Sequence, residues 1–211
     1  MTGFQPVRLV KQWFAMEQQV LLIRHGETEW SRTGRHTGRT DIPLNDEGRL
    51  RAEMIGRELR GRKLSVWTSP LERAKETCRL AGFADHARVD GDLREWDYGI
   101  YEGRTTAEIR SETPSWSVWL SPIVNGESLA QVAQRAHKVI ERVTASTDGD
   151  VGLFAHGHIL RVLAACWMGL PALTGRYLAL DTASLSVLGY ERQTRVIRQW
   201  NMTGEGRLHG R

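Results

Sequence analysis

Five short strand signals set the frame within which this chain can fold. They fall at 19–24, 64–68, 150–155, 184–190 and 194–199, and each has the length and composition of a strand. Between them apolar residues recur at helical spacing. Asn45 is placed to cap a helix from 46 to about 60, with Leu50, Met54, Ile55 and Leu59 on one face. Pro70 suits the first turn of a helix running to about Ala81. Ser128 can cap 129–145, where Leu129, Val132, Ala133, Ala136, Val139, Ile140 and Val143 form a stripe. Gly157 opens an apolar helix that ends near Met168, stopped by Gly169 and Pro171. Strands alternating with helices predict an α/β fold, a three-layer sandwich with a mostly parallel central sheet and helices on both faces.

The 211 residues suffice for one domain with a sizeable core. Residues 96–127 break the rhythm with Gly99, Gly103, Pro114, Pro122 and Gly126 around Trp116 and Trp119, and read as an insertion over the functional face. Residues 1–15 are expected to form a flexible extension, with Met16 an alternative start, and 16–211 a single domain. Apolar residues make up 40% and charged ones 26%, the balance of a soluble globular protein. No apolar run approaches the roughly 18 residues of a membrane span. The net charge of +4, from 29 basic and 25 acidic residues, is too small to point to nucleic acid and suits a small anion. Cys78 and Cys166 fall in predicted helices, which suggests no disulfide framework and a reducing cytoplasm. An oligomer stays open; Trp116 or Trp119, if exposed, would suggest an interface.

Two of the predicted strands end on His-Gly, as Arg24-His25-Gly26 and as His156-Gly157. Carboxyl ends of parallel strands are where open α/β sheets bind ligands, so the two histidines can meet in one cleft. A histidine just past a strand can fix its ring by donating one N–H to a backbone carbonyl, which leaves the other nitrogen a nucleophilic lone pair. Arg24 offers a fork of donors to phosphate oxygens, and Gly157 sets backbone N–H groups at a helix N-terminus. Arg73 follows another strand end, in Ser69-Pro70-Leu71-Glu72-Arg73, where the helix dipole opposes a cation unless an anion is present. Glu95 lies beside Trp96 and Tyr98, where partial desolvation would favour a protonated carboxyl able to serve as general acid.

Each segment alone has a plainer reading. Arg24-His25-Gly26 can be a strand-end cap, Arg73 a surface residue paired with Glu72 or Glu76, and Glu95 part of an acidic loop. His156 and His158 have a spacing that resembles a metal site, but no third ligand cluster accompanies them, and neither metal nor cofactor is expected. His36, His86, His137 and His209 read as surface or supporting residues. Two familiar phosphate-handling signatures are absent. Ala84 and Ala172 stand six residues after the two cysteines, where a cysteine phosphatase needs arginine, and there is no Walker loop.

Taken in order, the four segments resemble the histidine phosphatase superfamily, the phosphoglycerate-mutase-like clan, from about Gln18 to Trp200. The resemblance implies that His25 is phosphorylated, that Arg24, Arg73 and a protonated His156 hold the phosphoryl group, and that Glu95 is the proton donor. Trp30 to Gly38, Asp92 to Gly103, Asn125-Gly126-Glu127-Ser128 and Phe154 to Arg161 look like a sugar-phosphatase branch that includes sedoheptulose-1,7-bisphosphatase. Ser31, Thr37, Gly38, Ser69, Tyr98, Gly157 and Arg161 are then candidates to position substrate, although many members carry asparagine where Ser31 stands. The implied activity is metal-independent hydrolysis of a small phosphomonoester, a sugar phosphate or bisphosphate, through phosphohistidine. Two alternatives are phosphoryl transfer of the phosphoglycerate-mutase type and a non-catalytic phospholigand-binding module. The long insertion and arginine pair typical of cofactor-dependent mutases are not evident.

Overall fold

A computed structural model describes residues 18–146 and 149–204. The extension expected at 1–15 and His209 lie outside the described residues. The strands are β1 (Val20–Arg24), β2 (Ser65–Thr68), β3 (Arg88–Val89), β4 (Val151–Ala155), β5 (Leu185–Glu191) and β6 (Thr194–Met202). The helices are α1 (Glu29–Arg32), α2 (Asp46–Glu58), α3 (Glu72–Leu80), α4 (Thr106–Glu112), α5 (Leu129–Ala145) and α6 (Gly157–Trp167), with short 3-10 turns between them. Among the described residues the strands form one sheet in the order β3-β2-β4-β1-β5-β6. β3, β2, β4 and β1 are parallel, while β5 runs antiparallel to both its neighbours, β1 and β6.

Both faces of the sheet are covered, and side-chain alternation divides the core in two. Val20 and Leu22 of β1, Trp67 of β2 and Val151, Leu153 and Ala155 of β4 face a larger cluster with α5 and α6. Leu21, Ile23, Val66 and Phe154 point the other way, onto Ile55 and Leu59 from α2 and its C-cap and Cys78 and Ala81 from α3 and its C-cap. The expected three-layer sandwich is the observed architecture.

Ser128 caps α5 with a reciprocal bond from Gln131, and the predicted stripe supplies Val132, Ala136, Val139, Ile140 and Val143 to the core. Asn45 caps α2 through the Gly48 N–H. The buried face of α2 differs from the expected one. Leu50 is exposed, and Gly48, Ala52 and Ile55 face inward. The cause is backbone contact, since a Cβ on Gly48 would lie 2.2 Å from the Glu27 carbonyl oxygen. α3 begins at Glu72, so Pro70 precedes its N-cap, Leu71, instead of entering the first turn.

Segment 96–127 is woven into the larger core. Trp96, Ile109, Trp116, Val118 and Ile123 are all buried there. Trp116, raised as a candidate interface residue, is therefore interior. Cys78 and Cys166 are buried and unbonded. Among the described residues no helix is long and apolar enough to cross a membrane.

Candidate active site

Strand register brings the predicted residues together. Arg24 of β1 pairs with Ala155 of β4, so His25 and His156 leave the sheet from the same rung. Their ring centroids are 5.1 Å apart. Thr68 of β2 pairs with Phe154, which sets Ser69 beside His156, and its Oγ lies 2.8 Å from His156 Nε2. Three adjacent parallel strands thus end on one cluster.

His25 is buried, and its Nδ1 lies 2.7 Å from the Gly26 carbonyl oxygen. A carbonyl can only accept, so Nδ1 carries the proton and Nε2 the lone pair. The Gly26 N–H donates to Thr77 Oγ1 at 3.0 Å, which ties this turn to α3. Burial first, then Arg73 and Arg24, hold His25 well below the usual histidine pKa.

His156 is fully buried, and its Nδ1 accepts the Nε–H of Arg73 at 3.2 Å. Its Nε2–H is therefore directed at Ser69 Oγ. Burial, then Arg73, His25 and Arg24, push its pKa well down. The protonated His156 expected from the family pattern is a neutral ring in this geometry, because it is buried and its Nδ1 is occupied in accepting the Arg73 N–H.

Arg73 is completely enclosed. Its Nε bonds His156, one terminal nitrogen donates to the carbonyl of Thr40 and to Asp41 Oδ1, and the other donates to the carbonyls of Thr37 and Gly38. Glu72 pairs instead with Lys75, and Glu76 with Arg49, so the surface reading of Arg73 does not hold. The anion its place at a helix start requires is Asp41, whose other oxygen accepts the Glu72 N–H at 2.5 Å. Arg24 donates to the Leu180 carbonyl, and its Nε–H is buried with no protein partner.

Glu95 is buried in a more polar setting than expected. Its Oε1 accepts the N–H groups of Trp96 at 2.9 Å and Ile159 at 3.0 Å, and Oε2 accepts that of His158 at 3.0 Å. The carboxyl group sits on the N-terminus of α6 and not merely against aromatic rings. Gly157 packs on Arg24, and a Cβ there would lie 3.3 Å from its Cζ and Nε.

The remaining candidates are spread around this cluster. Tyr98 bonds His158 Nδ1 through its hydroxyl at 2.7 Å. His36, Trp96 and Trp119 also pack on the His158 ring. Arg161 stacks on Trp119 at 4.7 Å and donates to the carbonyls of Gly175 and Arg176. The backbone of Thr37 and Gly38 serves Arg73. The Ser31 hydroxyl donates to the Thr28 carbonyl and accepts the Thr28 N–H, so it is engaged in the α1 cap.

Residues 20–203 match the sequence profile of the histidine phosphatase superfamily (branch 1). The chain belongs to that superfamily. An acid phosphatase of Mycobacterium tuberculosis is 41% identical over 190 residues, 88% of this chain and 93% of that protein. A sedoheptulose 1,7-bisphosphatase of Saccharomyces cerevisiae is 34% identical over 189 residues, 74% of this chain and 69% of that protein. Among solved structures, a mycobacterial glucosyl-3-phosphoglycerate phosphatase, described as a complex with VO3, superposes with a TM-score of 0.79 at 28% identity, covering 88% of this chain and 100% of that one.

Several supports of this histidine phosphatase site were missed in the sequence. Asp41 sits in a polar loop with no motif of its own, and Thr77 is an interior helix residue whose partner lies 51 positions away. Arg135 falls on the polar side of the α5 stripe, where an arginine usually means solvent. Its guanidinium instead reaches the loop that carries Glu95.

Proposed function

We propose that the chain is a phosphoric monoester hydrolase that cleaves a small phosphorylated metabolite, a sugar phosphate or bisphosphate, through phosphohistidine at His25. The observation that carries the reading is the His25 ring. Its proton is committed to the Gly26 carbonyl, and its Nε2 lone pair is held in a buried cluster of two guanidinium groups and a second imidazole. The unpartnered Arg24 Nε–H supports an anion in the same cluster, since buried donors are rarely left unbonded. The relatives named as acid phosphatase, sedoheptulose 1,7-bisphosphatase and glucosyl-3-phosphoglycerate phosphatase support both hydrolysis and the substrate class.

In the first step His25 Nε2 attacks phosphorus in line with the leaving oxygen. The N–P bond forms, the P–O bond breaks, and the alkoxide takes a proton from Glu95. Arg24, Arg73, His156 and the Gly157 N–H stabilise charge on the equatorial oxygens, which is where such sites gain most of their rate. Every N–H of Arg73 is already engaged, so its share requires giving up one present contact. An arriving dianion also offsets the positive field that keeps His156 neutral. In the second step the Glu95 carboxylate takes a proton from water, which attacks phosphorus and releases His25 and inorganic phosphate.

The test is a panel of phosphorylated sugars and phosphoacids assayed for free phosphate, with rapid quenching to trap acid-labile phosphoprotein. Phosphate release with label on His25 is expected. Isomerised phosphoglycerate without free phosphate would establish a mutase, and binding without either product would establish a ligand-binding module.

A further inference from the structure

From the arrangement around the loop 92–98 we infer that Arg135 and Glu127 form a latch that positions Glu95 for proton transfer. The inference rests on the proton-donor role proposed for Glu95. Arg135 projects from α5 and is 12% exposed; Glu127, 21% exposed, precedes the Ser128 cap of the same helix. Their contact is a two-pronged ion pair, Nε to Oε1 at 2.8 Å and a terminal nitrogen to Oε2 at 2.7 Å.

Both partners then turn to the same loop. Arg135 donates to the carbonyls of Asp92 at 2.8 Å, Arg94 at 2.7 Å and Glu95 at 3.3 Å. Glu127 accepts the Asp97 N–H on its carboxylate at 3.1 Å, and its carbonyl accepts the Trp96 indole N–H at 2.7 Å. The backbone is thus gripped at the proton donor and on both sides of it. Residues 95–98 lie in no helix or strand; beyond the Asp97 and Tyr98 carbonyls, which accept the N–H groups of Glu127 and Tyr101, side chains fix this loop. The far side of Glu95 is set by the three N–H groups it accepts, two of them from α6. Latch and helix start together hold the carboxyl group in one place relative to His25.

Proton transfer to a leaving alkoxide is sensitive to such placement, because an offset near 1 Å can cost about 10²-fold. An aryl leaving group of low basicity departs without that proton. Loss of the latch should therefore lower kcat/KM for an alkyl phosphate more than for an aryl phosphate. A merely structural defect would lower both alike.

The experiment compares glycerol 2-phosphate with 4-nitrophenyl phosphate in Arg135→Lys, Glu127→Gln and Glu95→Gln, using the ratio of the two kcat/KM values, which report transfer to His25 and not the hydrolysis step common to both substrates. The ratio is independent of how much of each variant is folded. Lysine keeps the charge of Arg135 but not its fork. About a tenfold or greater fall in the alkyl-to-aryl ratio in both latch variants, in the direction of Glu95→Gln, is expected. An unchanged ratio in Arg135→Lys and Glu127→Gln, with a fallen ratio in Glu95→Gln, would overturn the latch and leave the proton donor standing. An unchanged ratio in Glu95→Gln would overturn the proton-donor role, and the latch with it.

Discussion

His25 and Gly157 carry consequences that can be measured one residue at a time. His25 is held well below the ordinary histidine value by burial and by Arg73 and Arg24. Its nucleophilic form therefore persists as pH falls below 6.5, the ordinary value. The acid limb of kcat/KM, corrected for titration of the substrate phosphate, is expected below that value; a limb at or above it in the free enzyme would contradict the burial described for His25. At Gly157 an added methyl group would meet the Arg24 guanidinium at 3.3 Å. Gly157→Ala should lower kcat/KM by about tenfold, the scale of a sub-ångström misplacement. The helix itself should not suffer, since alanine is the better helix former. A lowered thermal midpoint with unchanged kinetics would show that the contact matters to folding only.

Asp41 shows what one loop carboxylate does for a whole helix. It caps the start of α3 through the Glu72 N–H and neutralises Arg73 in the same turn. Asp41→Ala is expected to reduce stability by about 1–2 kcal/mol, the cost of a lost cap. It should also tighten binding of inorganic phosphate or vanadate, since it leaves the Arg73 charge unneutralised and frees one of its N–H groups, and unchanged unfolding in denaturant would refute the capping role. The elements themselves were largely legible in the sequence. The stripe of α5, its Ser128 cap and the strands that end on His25 and His156 all follow from local pattern. What escaped was set across space. The two residues of β3 are too few for any period to register, and Leu50 turns outward because Gly48 is pressed against the Glu27 backbone. Asp41, Thr77 and Arg135 are ordinary polar residues until the sheet brings distant loops to them. Glu127 stood inside a recognised Asn-Gly-Glu-Ser segment, but its role needed Arg135 beside it.

Across the whole molecule, four histidines are buried or half-buried in environments that disfavour their protonation. Burial lowers His36 to about 4, and it holds His25, His156 and His158 well below 6.5. In the unfolded chain these rings take up protons near 6.5, so between that value and about 4 the unfolded state binds more protons than the folded one. Stability must then fall as pH falls through this window. For His36 alone the loss is on the order of 2 kcal/mol or more by pH 4. His36→Phe keeps a ring against Tyr98 and Trp116 but removes the titration, so its unfolding free energy should change less steeply from pH 7 to pH 4. Equal slopes for the two proteins would count against this account.

The sheet order also dictates when the site can exist during synthesis. β4 lies between β1 and β2, and β5 flanks β1 on its other side. A nascent chain that has emerged only as far as residue 150 therefore offers β1 no final neighbour at all, and β2 only the two residues of β3. The apolar Val20–Ile23, entirely interior in the finished molecule, must wait without a strand on either side until β4 and β5 leave the ribosome. His25 is made before its companion His156, which arrives 131 residues later.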